Sequence, residues 1–296
     1  MIRVVSLSPA IDVTYELAEL SPGQSHRVKH VHKVPGGKGV NVARILQASG
    51  QQVKLALPLG GENGAWIASK LAVTGITLQE TPIAAETRTC VTMVALETTV
   101  LNEPAAVITP EEFEAFLNEL VEQVGVTVFS GSVPNSVSES QLKRLFATLR
   151  DSSQVLVIDT SGPALLLACA QAPDLIKPNR EEALSATGEA DLHAAVEGLL
   201  KLGARRVMAS DGARGAMVAT LAGSLNARLP EVAGNPTGAG DAMVAIAAKQ
   251  LMMGASERDL LAQAVAAGSL ATAELVAGVI DFQRLEALAA TAEITG

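Results

Sequence analysis

The sequence predicts an α/β fold, a mainly parallel sheet with helices on both faces, plus a small β lid. Short β-rich runs alternate with helical runs along most of the chain, as in sheets whose strands are joined by helical crossovers. Two segments depart from this alternation: they have no helical pattern between them, and their polar and apolar residues alternate with the two-residue period of strands. Hydrophobic residues make up 48% and aromatic residues 2%, so the core is expected to consist mainly of Ala, Leu and Val, which suits helices covering a sheet.

The strands of the main sheet are predicted from short apolar runs, at residues 2–8, 53–59, 126–130, 155–159, 175–177 and 206–210. Helical patterns lie between them. Val42, Ile45 and Leu46 fall on one helix face, and Gly50 ends that helix. Pro110 begins another, since proline favours the first turn of a helix. Strand, helix and strand in repetition predict parallel pairing.

The predicted lid comprises two segments without an intervening helical pattern, 12–34 and 88–101. Polar residues alternate with apolar ones in both, which is typical of strands with one solvated face. We expect an antiparallel flap inserted into a single domain of residues 1–296. A second domain is not expected, because no linker rich in Pro, Gly or Ser interrupts the chain.

Charge and composition restrict the possible partners and location. The chain has 22 Lys and Arg against 31 Asp and Glu, a net charge of −9, which argues against nucleic acid as a partner. Cys90 and Cys169 are too few for a disulfide framework, and the N-terminus resembles a strand rather than a signal peptide. No apolar run approaches the roughly 18 to 20 residues of a membrane span. We therefore expect a cytoplasmic protein without a membrane partner.

The most informative motif is NPTGAGD at residues 235–241, immediately before an apolar helical run. Gly238 and Gly240 leave backbone N–H groups uncovered at a helix N-terminus, where a transferring phosphoryl group could be held. Asp241 would stand in the first turn. The helix end would favour its ionised form, so that it could accept a proton from a hydroxyl. The alternative is a glycine turn with an acidic cap.

A second glycine motif, PGGKGVNVA at residues 35–43, also precedes a helix. Its glycines permit close approach of the backbone to a ligand. The amide of Asn41 offers both a donor and an acceptor, which suits a polyol. Asp12 follows the first strand, at the edge where parallel sheets bind ligands, and could bind two sugar hydroxyls. The alternative for Asp12 is an ordinary turn aspartate.

Two further strand ends carry polar residues. Asn179 and Glu182 follow Lys177 and form the pattern of a capping box. The same pair offers oxygen atoms that could hold water around Mg²⁺. Ser210, Gly212 and Gly215 form a glycine turn that could run beside a nucleotide, the alternative being a plain hairpin.

The four motifs together resemble the PfkB, or ribokinase-like, family of carbohydrate kinases over essentially the whole chain. GGKGVNVA at residues 36–43 is similar to the family's N-terminal signature and GAGD at residues 238–241 to its C-terminal one. Residues 8–12, 130–134 and Thr87-Arg88 most resemble the branch that contains 1-phosphofructokinase and tagatose-6-phosphate kinase. Such a kinase acts on a phosphorylated ketohexose of the fructose 1-phosphate, tagatose 6-phosphate or fructose 6-phosphate type.

The resemblance implies ATP and Mg²⁺ as cofactors and a role for each matching residue. Asp241 would be the catalytic base, and Gly238, Ala239 and Gly240 would form the anion hole. The remaining roles are sugar binding by Asp12, Gly37 and Asn41; neutralisation of the acceptor's phosphate by Arg88, Arg27 and Lys38; nucleotide binding by Lys177, Asn179, Ser210, Gly212 and Gly215; and indirect metal binding by Asn179 and Glu182.

Other functions remain open at the level of sequence. A ribokinase-type kinase of an unphosphorylated sugar or nucleoside is favoured if Arg88, Arg27 and Lys38 do not converge, because a phosphate needs paired cationic donors. A non-catalytic sugar-binding protein is the other alternative. The exposed edges of the lid strands predict a homodimer formed through the lids.

Overall fold

The computed structural model describes residues 1–232 and 234–296. The main sheet contains β1 (Ile2–Val5), β4 (Val53–Leu59), β5 (Thr77–Pro82), β8 (Val124–Ser130), β9 (Ser153–Asp159), β10 (Leu175–Ile176), β11 (Val207–Ser210), β12 (Ala216–Thr220), β13 (Gly223–Arg228) and β14 (Glu293–Thr295). A second, four-stranded sheet contains β2 (Ala10–Glu16), β3 (His30–Gly36), β6 (Arg88–Val94) and β7 (Thr98–Asn102). We call this second sheet the lid.

The helices follow the strands in the predicted alternation. They are α1 (Lys38–Ala48), α2 (Gly61–Leu71), α3 (Pro110–Asn118), α4 (Glu139–Asp151), α5 (Pro163–Cys169), α6 (Arg180–Thr187), α7 (Leu192–Lys201), α8 (Ala239–Met252), α9 (Glu257–Thr272) and α10 (Phe282–Ala289). Within the part of the chain that the structure describes, none of them has both the length and the apolar character needed to cross a bilayer.

The main sheet is parallel from β5 through β4, β1, β8, β9 and β10 to β11, as predicted. Strands β12, β13 and β14 then add in antiparallel order at one edge. Parallel pairing brings the carboxyl ends of β1, β8, β9 and β10 to one edge, where binding sites of such sheets form. The residues that follow these strands are therefore neighbours.

The apolar core lies on both faces of the main sheet. Val4 of β1 packs in one cluster with Val40 of α1 and Val244 of α8. The next residue, Val5, belongs to the cluster on the opposite face with Phe113 and Phe146. This alternation follows from the two-residue period of a strand that is buried on both sides. It fixes α1 and α8 on the same face, so that their N-terminal turns meet.

The lid differs from the expected antiparallel flap at its central pair. Strands β2 and β3 and strands β6 and β7 are antiparallel, but β2 and β6 are parallel. The predicted segment 88–101 is two strands that end at Asn102. Alternation of polar and apolar residues does not depend on strand direction, which is why the prediction of an antiparallel flap was wrong at this pair. The register aligns Ala10 with Gly36 and with Arg88 where the lid joins the body.

Candidate active site

The NPTGAGD motif forms the N-terminus of α8. Gly238 is the residue before the helix and has a φ of 87°, in the left-handed region. A Cβ atom at this position would lie 2.7 Å from the Cβ of Ala277, so conformation and space both require glycine. Within the described part of the chain, no side chain caps the helix. The N–H of Ala239 donates to the carbonyl of Pro236 over 3.1 Å. Other N–H groups of this turn can face an anion in the cavity that Gly238, Ala239 and Gly240 line.

Asp241 stands in the first turn of α8 and is buried. Its Oδ2 accepts a hydrogen bond of 2.9 Å from Nδ2 of Asn41. Burial, followed by the charge of Asp159, raises the pKa of Asp241 to about 6, although Lys38, Asn41 and Lys177 act in the opposite direction. The sequence predicted a carboxylate kept ionised by the helix end. Loss of solvation outweighs that effect, and the result is a base whose pKa lies near neutral pH.

Asp159 is a functional candidate that the sequence analysis did not single out. It ends β9, with Lys177 Nζ 3.5 Å from its Oδ1 and Lys38 Nζ 3.7 Å from its Oδ2. Ser130 Oγ donates to Oδ2 over 3.1 Å. Burial opposes ionisation of Asp159, but the two lysines and the hydrogen bonds from Ser130 and Lys177 together lower its pKa. A carboxylate at the carboxyl end of an apolar parallel strand was the signal available in the sequence.

The capping box at the start of α6 is present as predicted. Asn179 Oδ1 accepts the N–H of Glu182, and Glu182 Oε2 accepts the N–H of Asn179. The other carboxylate oxygen of Glu182, Oε1, lies 3.6 Å from Lys38 Nζ. The charge of Asp159 raises the pKa of Lys38 most, burial lowers it, and Glu182 and Asp241 raise it further, so that the net pKa is raised. Lys38 is therefore a permanent cation between two carboxylates.

A cavity of about 680 Å³ joins these groups. Its wall contains all five residues predicted to bind the nucleotide, together with the glycine turn of α8 and Asp241: Lys177, Asn179, Ser210, Gly212, Gly215, Gly238, Ala239, Gly240 and Asp241. Part of the lining is apolar, with Leu229, Val232, Met243 and Val265. A polar end and an apolar wall suit a ligand with phosphates and a flat base. Isolated apolar residues carry no distinctive sequence signal, so this wall was not predicted.

The predicted sugar-binding residues meet beside Asp241 at the base of the lid. Asp12 Oδ2 accepts the N–H of Gly37 over 3.3 Å. Burial raises the pKa of Asp12, against hydrogen bonds from Gly37 and Asn41 and the charges of Arg44 and Arg88. A Cβ atom on Gly36 would collide with the Asp12 carboxyl group. The glycine pair thus lets the backbone approach Asp12 closely.

The three cations expected around an acceptor phosphate do not converge. Lys38 lies with Asp159 and Glu182 on the wall of the large cavity. Arg27 is exposed in the connection between β2 and β3. The carboxylates of Asp159 and Glu182 attract Lys38, and the sequence could not place them in space. Arg88 alone of the three lies close enough to Asp12 to lower its pKa.

Arg88 is partly held by backbone carbonyls. Its Nη1 donates to the carbonyl of Glu103 over 3.0 Å, and its Nη2 donates to that of Ser8 over 3.4 Å. Its Nε is buried and has no hydrogen-bond partner among residues 1–232 and 234–296. Arg44, which the sequence analysis missed, donates from Nη1 to the carbonyl of Ala277 over 3.0 Å. Its position one turn after Asn41 in α1 was the available signal.

The acidic groups around the cavity fit a hydrated magnesium ion better than a cage of protein ligands. Asp159 Oδ1 is buried, has Lys177 Nζ 3.5 Å away, and lines the same cavity as Asn179 and Glu182. Carboxylate and amide oxygens suit Mg²⁺, which usually keeps several of its waters. Across residues 1–232 and 234–296, no three His, Cys, Asp or Glu side chains are grouped closely enough to hold a metal by themselves.

A family model and a related protein of known name both identify the same family. Residues 1–279 match the family described as pfkB family carbohydrate kinase. The 1-phosphofructokinase of Xanthomonas campestris pv. campestris is 35% identical over 286 residues, covering 91% of this chain and 90% of that protein.

Solved structures show the same fold. Phosphofructokinase-2 from Escherichia coli in complex with fructose-6-phosphate superimposes with a TM-score of 0.89 at 26% identity, covering 98% of each chain. Arabidopsis thaliana ribokinase, complexed with ribose and ATP, has a TM-score of 0.74 at 18% identity over 97% of this chain and 98% of that one. The fold is thus ribokinase-like, and the chain belongs to the pfkB family of carbohydrate kinases.

Proposed function

We propose that this protein is an ATP-dependent kinase that transfers the γ-phosphate to a hydroxyl of a phosphorylated ketohexose. The acceptor is of the fructose 1-phosphate, tagatose 6-phosphate or fructose 6-phosphate type. The observation that carries the proposal is the hydrogen bond from Asn41 to Asp241 beside the glycine turn. It joins the group of residues at the base of the lid to the group that lines the large cavity.

Asp241 acts as the general base. With a pKa of about 6 it is mostly ionised at neutral pH, yet it is a stronger proton acceptor than an exposed aspartate. Asn41 fixes the orientation of the carboxylate by donating to Oδ2. The second oxygen of Asp241 then accepts the proton of the attacking hydroxyl, while Asp12 and Gly37 bind other hydroxyls of the sugar.

Phosphoryl transfer depends chiefly on alignment and on neutralising charge. The N–H groups of Gly238 and Gly240 would hold the equatorial oxygens of the transferring group, and that of Ala239 would join them on leaving the carbonyl of Pro236. Lys177 and Lys38, both on the cavity wall, supply positive charge on the same side. We therefore assign Lys38 to the phosphates of the nucleotide rather than to the phosphate of the acceptor.

The nucleotide is ATP, held by Lys177, Asn179, Ser210, Gly212 and Gly215 along the polar wall, with its base against Leu229, Val232 and Val265. Asn179 and Glu182 would hold Mg²⁺ through water, and Asp159 adds an ionised oxygen near them. The metal would supply charge neutralisation at the phosphates.

Arg88 binds the phosphate that the acceptor already carries. It lies beside Asp12 and has an Nε–H group that makes no hydrogen bond to any residue that the structure describes. Guanidinium groups bind phosphate oxygens through paired donors. Arg27 would assist only after a movement of the loop that bears it. The separation of Arg27 and Lys38 from Arg88 favours the second candidate, a ribokinase-type kinase of an unphosphorylated sugar or nucleoside.

We also propose that the chain acts as one domain whose lid closes over the sugar and excludes water, which prevents hydrolysis of ATP. Strands β3 and β7 are the edges of the lid, and Val31 and Leu101 on them are exposed. A second copy would cover these edges in a homodimer formed through the lids. The proposed location is the cytoplasm, where ATP is available.

The test is release of ADP from ATP and Mg²⁺ in the presence of single acceptors. Fructose 1-phosphate, tagatose 6-phosphate and fructose 6-phosphate are compared with fructose, ribose and adenosine. We expect turnover with at least one phosphorylated ketohexose and at most weak turnover with the others. Preference for an unphosphorylated acceptor would establish the second candidate, and ADP release with none would indicate a sugar-binding protein without catalysis.

A further inference from the structure

The segment that leads from the body into the lid is held by the first turn of α2. Strand β5 ends at Pro82 and the lid strand β6 begins at Arg88. Between them, Glu86 accepts hydrogen bonds through its carboxylate from the N–H groups of Glu62 and Asn63 at the start of α2. The connection is therefore attached to a helix of the body immediately before Arg88.

Thr87, the residue before Arg88, is held by three hydrogen bonds. Its N–H donates to the carbonyl of Gly60 over 3.0 Å, and its Oγ1 accepts the N–H of Gly60 over 3.0 Å. Its carbonyl accepts Nδ2 of Asn63 over 2.8 Å. Thr87 is only 1% exposed. A backbone held in this way leaves little freedom in the direction from which the Arg88 side chain departs.

We propose that Asn63 is a positioning residue that determines the affinity for the phosphorylated acceptor by orienting Arg88 through Thr87. This proposal rests on the proposed function, in which Arg88 binds the acceptor's phosphate. The Asn63 side chain acts on the carbonyl of Thr87, one peptide bond away from Arg88. Its effect is therefore confined to the step in which Arg88 takes part.

Arg88 lies at the base of the lid, close to the body of the protein. Arg88 aligns with Ala10 on β2, which in turn aligns with Gly36 on β3, so these residues form a row where the lid joins the body. A residue held to α2 at this row moves little when the rest of the lid moves. Arg88 can thus bind phosphate before the lid closes, and Asn63 keeps its donors pre-organised for that contact.

The test compares Arg88→Ala, Asn63→Ala and the double variant by steady-state kinetics with the preferred phosphorylated ketohexose. Loss of hydrogen bonds to a charged group predicts that Arg88→Ala raises the KM for the acceptor about 10- to 100-fold. Asn63→Ala, which removes one neutral hydrogen bond, is expected to raise that KM about 5-fold. The KM for ATP is expected to remain unchanged in both.

The double variant separates a positioning role from a merely structural one. If Asn63 acts through Arg88, the double variant has the KM of Arg88→Ala alone, because the orientation of an absent side chain has no effect. Multiplication of the two effects, or a normal acceptor KM in Asn63→Ala, would overturn the proposal. If Arg88→Ala itself leaves the acceptor KM unchanged, the phosphate contact of the proposed function is at fault, and the role of Asn63 is rejected with it.

Two further variants separate a specific effect on the acceptor KM from a general loss of folding. Asn63→Asp keeps the shape of the side chain but removes its donors and sets a carboxylate against the carbonyl of Thr87, so it is expected to raise the acceptor KM at least as much as Asn63→Ala. Asn118→Ala makes the same chemical change at an exposed position at the end of α3. It is expected to leave the KM for the acceptor, the KM for ATP and kcat unchanged.

Discussion

Asn41 Nδ2 donates a hydrogen bond to Oδ2 of Asp241 over 2.9 Å, although 200 residues separate the two in the chain. Each stands near the N-terminus of a helix, Asn41 in α1 and Asp241 in α8, and the two helices pack on the same face of the main sheet. The contact connects the two glycine motifs recognised in the sequence. It orients the proposed base toward the acceptor, and several expected outcomes follow from the environment of Asp241.

Asp241→Asn removes the proton acceptor while retaining the size of the side chain. We expect kcat to fall by about 10²-fold or more, because general-base catalysis of this kind contributes roughly 10² to 10⁴. The fold is expected to remain intact. Turnover of each acceptor and the circular dichroism spectrum of the variant check this, and near-normal turnover would refute the role of Asp241.

The same variant is expected to be more stable than the wild type above neutral pH. The folded-state pKa of Asp241, about 6, lies above the ordinary value of 3.8. The folded protein therefore holds the proton more tightly, and stability is lost as pH rises from about 4 through about 6, at a cost of about 3 kcal/mol. The gain in free energy of unfolding of Asp241→Asn should thus be present at about pH 8 and small at about pH 4. Denaturant unfolding at both pH values measures this gain in stability. An equal gain at both would show that it does not come from the ionisation of Asp241.

The pH dependence of kcat/KM is expected to show an acid limb near pH 6, where Asp241 becomes protonated. Two neighbouring charges move this limb in opposite directions. Asp159 raises the pKa of Asp241, so Asp159→Asn should shift the limb to lower pH. Lys38 lowers that pKa, so Lys38→Met should shift the limb to higher pH. Both variants lose activity, and shifts in the same direction would contradict the electrostatic account.

Gly238→Ala tests the glycine turn at the start of α8. The φ of 87° and the Cβ atom of Ala277, 2.7 Å from the added carbon, require the turn to move, and we expect kcat to fall by about tenfold or more through a displaced anion hole. Gly254→Ala is the matched control, because Gly254 has a φ of 69° and no atom within 4 Å of an added Cβ. Both should lose about 1 to 2 kcal/mol of stability from the left-handed conformation. Only Gly238→Ala should lose turnover, and equal kcat values would contradict the assigned role.

Movement of the lid can be followed through Trp66, the single tryptophan of the chain. Lys33 of the lid strand β3 lies with its Nζ 4.8 Å from the centre of the Trp66 ring on α2, and Lys70 of α2 lies 5.7 Å away. Closure over the acceptor is expected to change the first contact and leave the second intact. A fluorescence titration with acceptor should therefore show a change in emission that is reduced in Lys33→Ala and retained in Lys70→Ala. A response that is unaffected by Lys33→Ala would contradict movement of the lid at this contact.

The sequence was sufficient for those features that depend on local pattern. Alternating strands and helices predicted the parallel sheet, and glycines before α1 and α8 indicated where ligands approach the backbone. Features that depend on tertiary neighbours were not accessible. The raised pKa of Asp241 depends on burial and on Asp159, a residue 82 positions away by number that no motif contains. Lys38 was expected near the acceptor's phosphate because the carboxylates of Asp159 and Glu182 that attract it were not yet placed. The parallel pairing of β2 with β6 depends on chain direction, which alternation does not record.

Transfer of the γ-phosphate can be observed directly by ³¹P NMR. The wild-type protein, ATP, Mg²⁺ and the preferred phosphorylated ketohexose are mixed, with Asp241→Asn in a parallel sample. We expect the wild type to convert the acceptor into a bisphosphate at the rate at which ADP appears, and the variant to form about 10²-fold less bisphosphate in the same time. A sugar bisphosphate formed at comparable rates by both proteins, or formed by neither, would contradict this expectation.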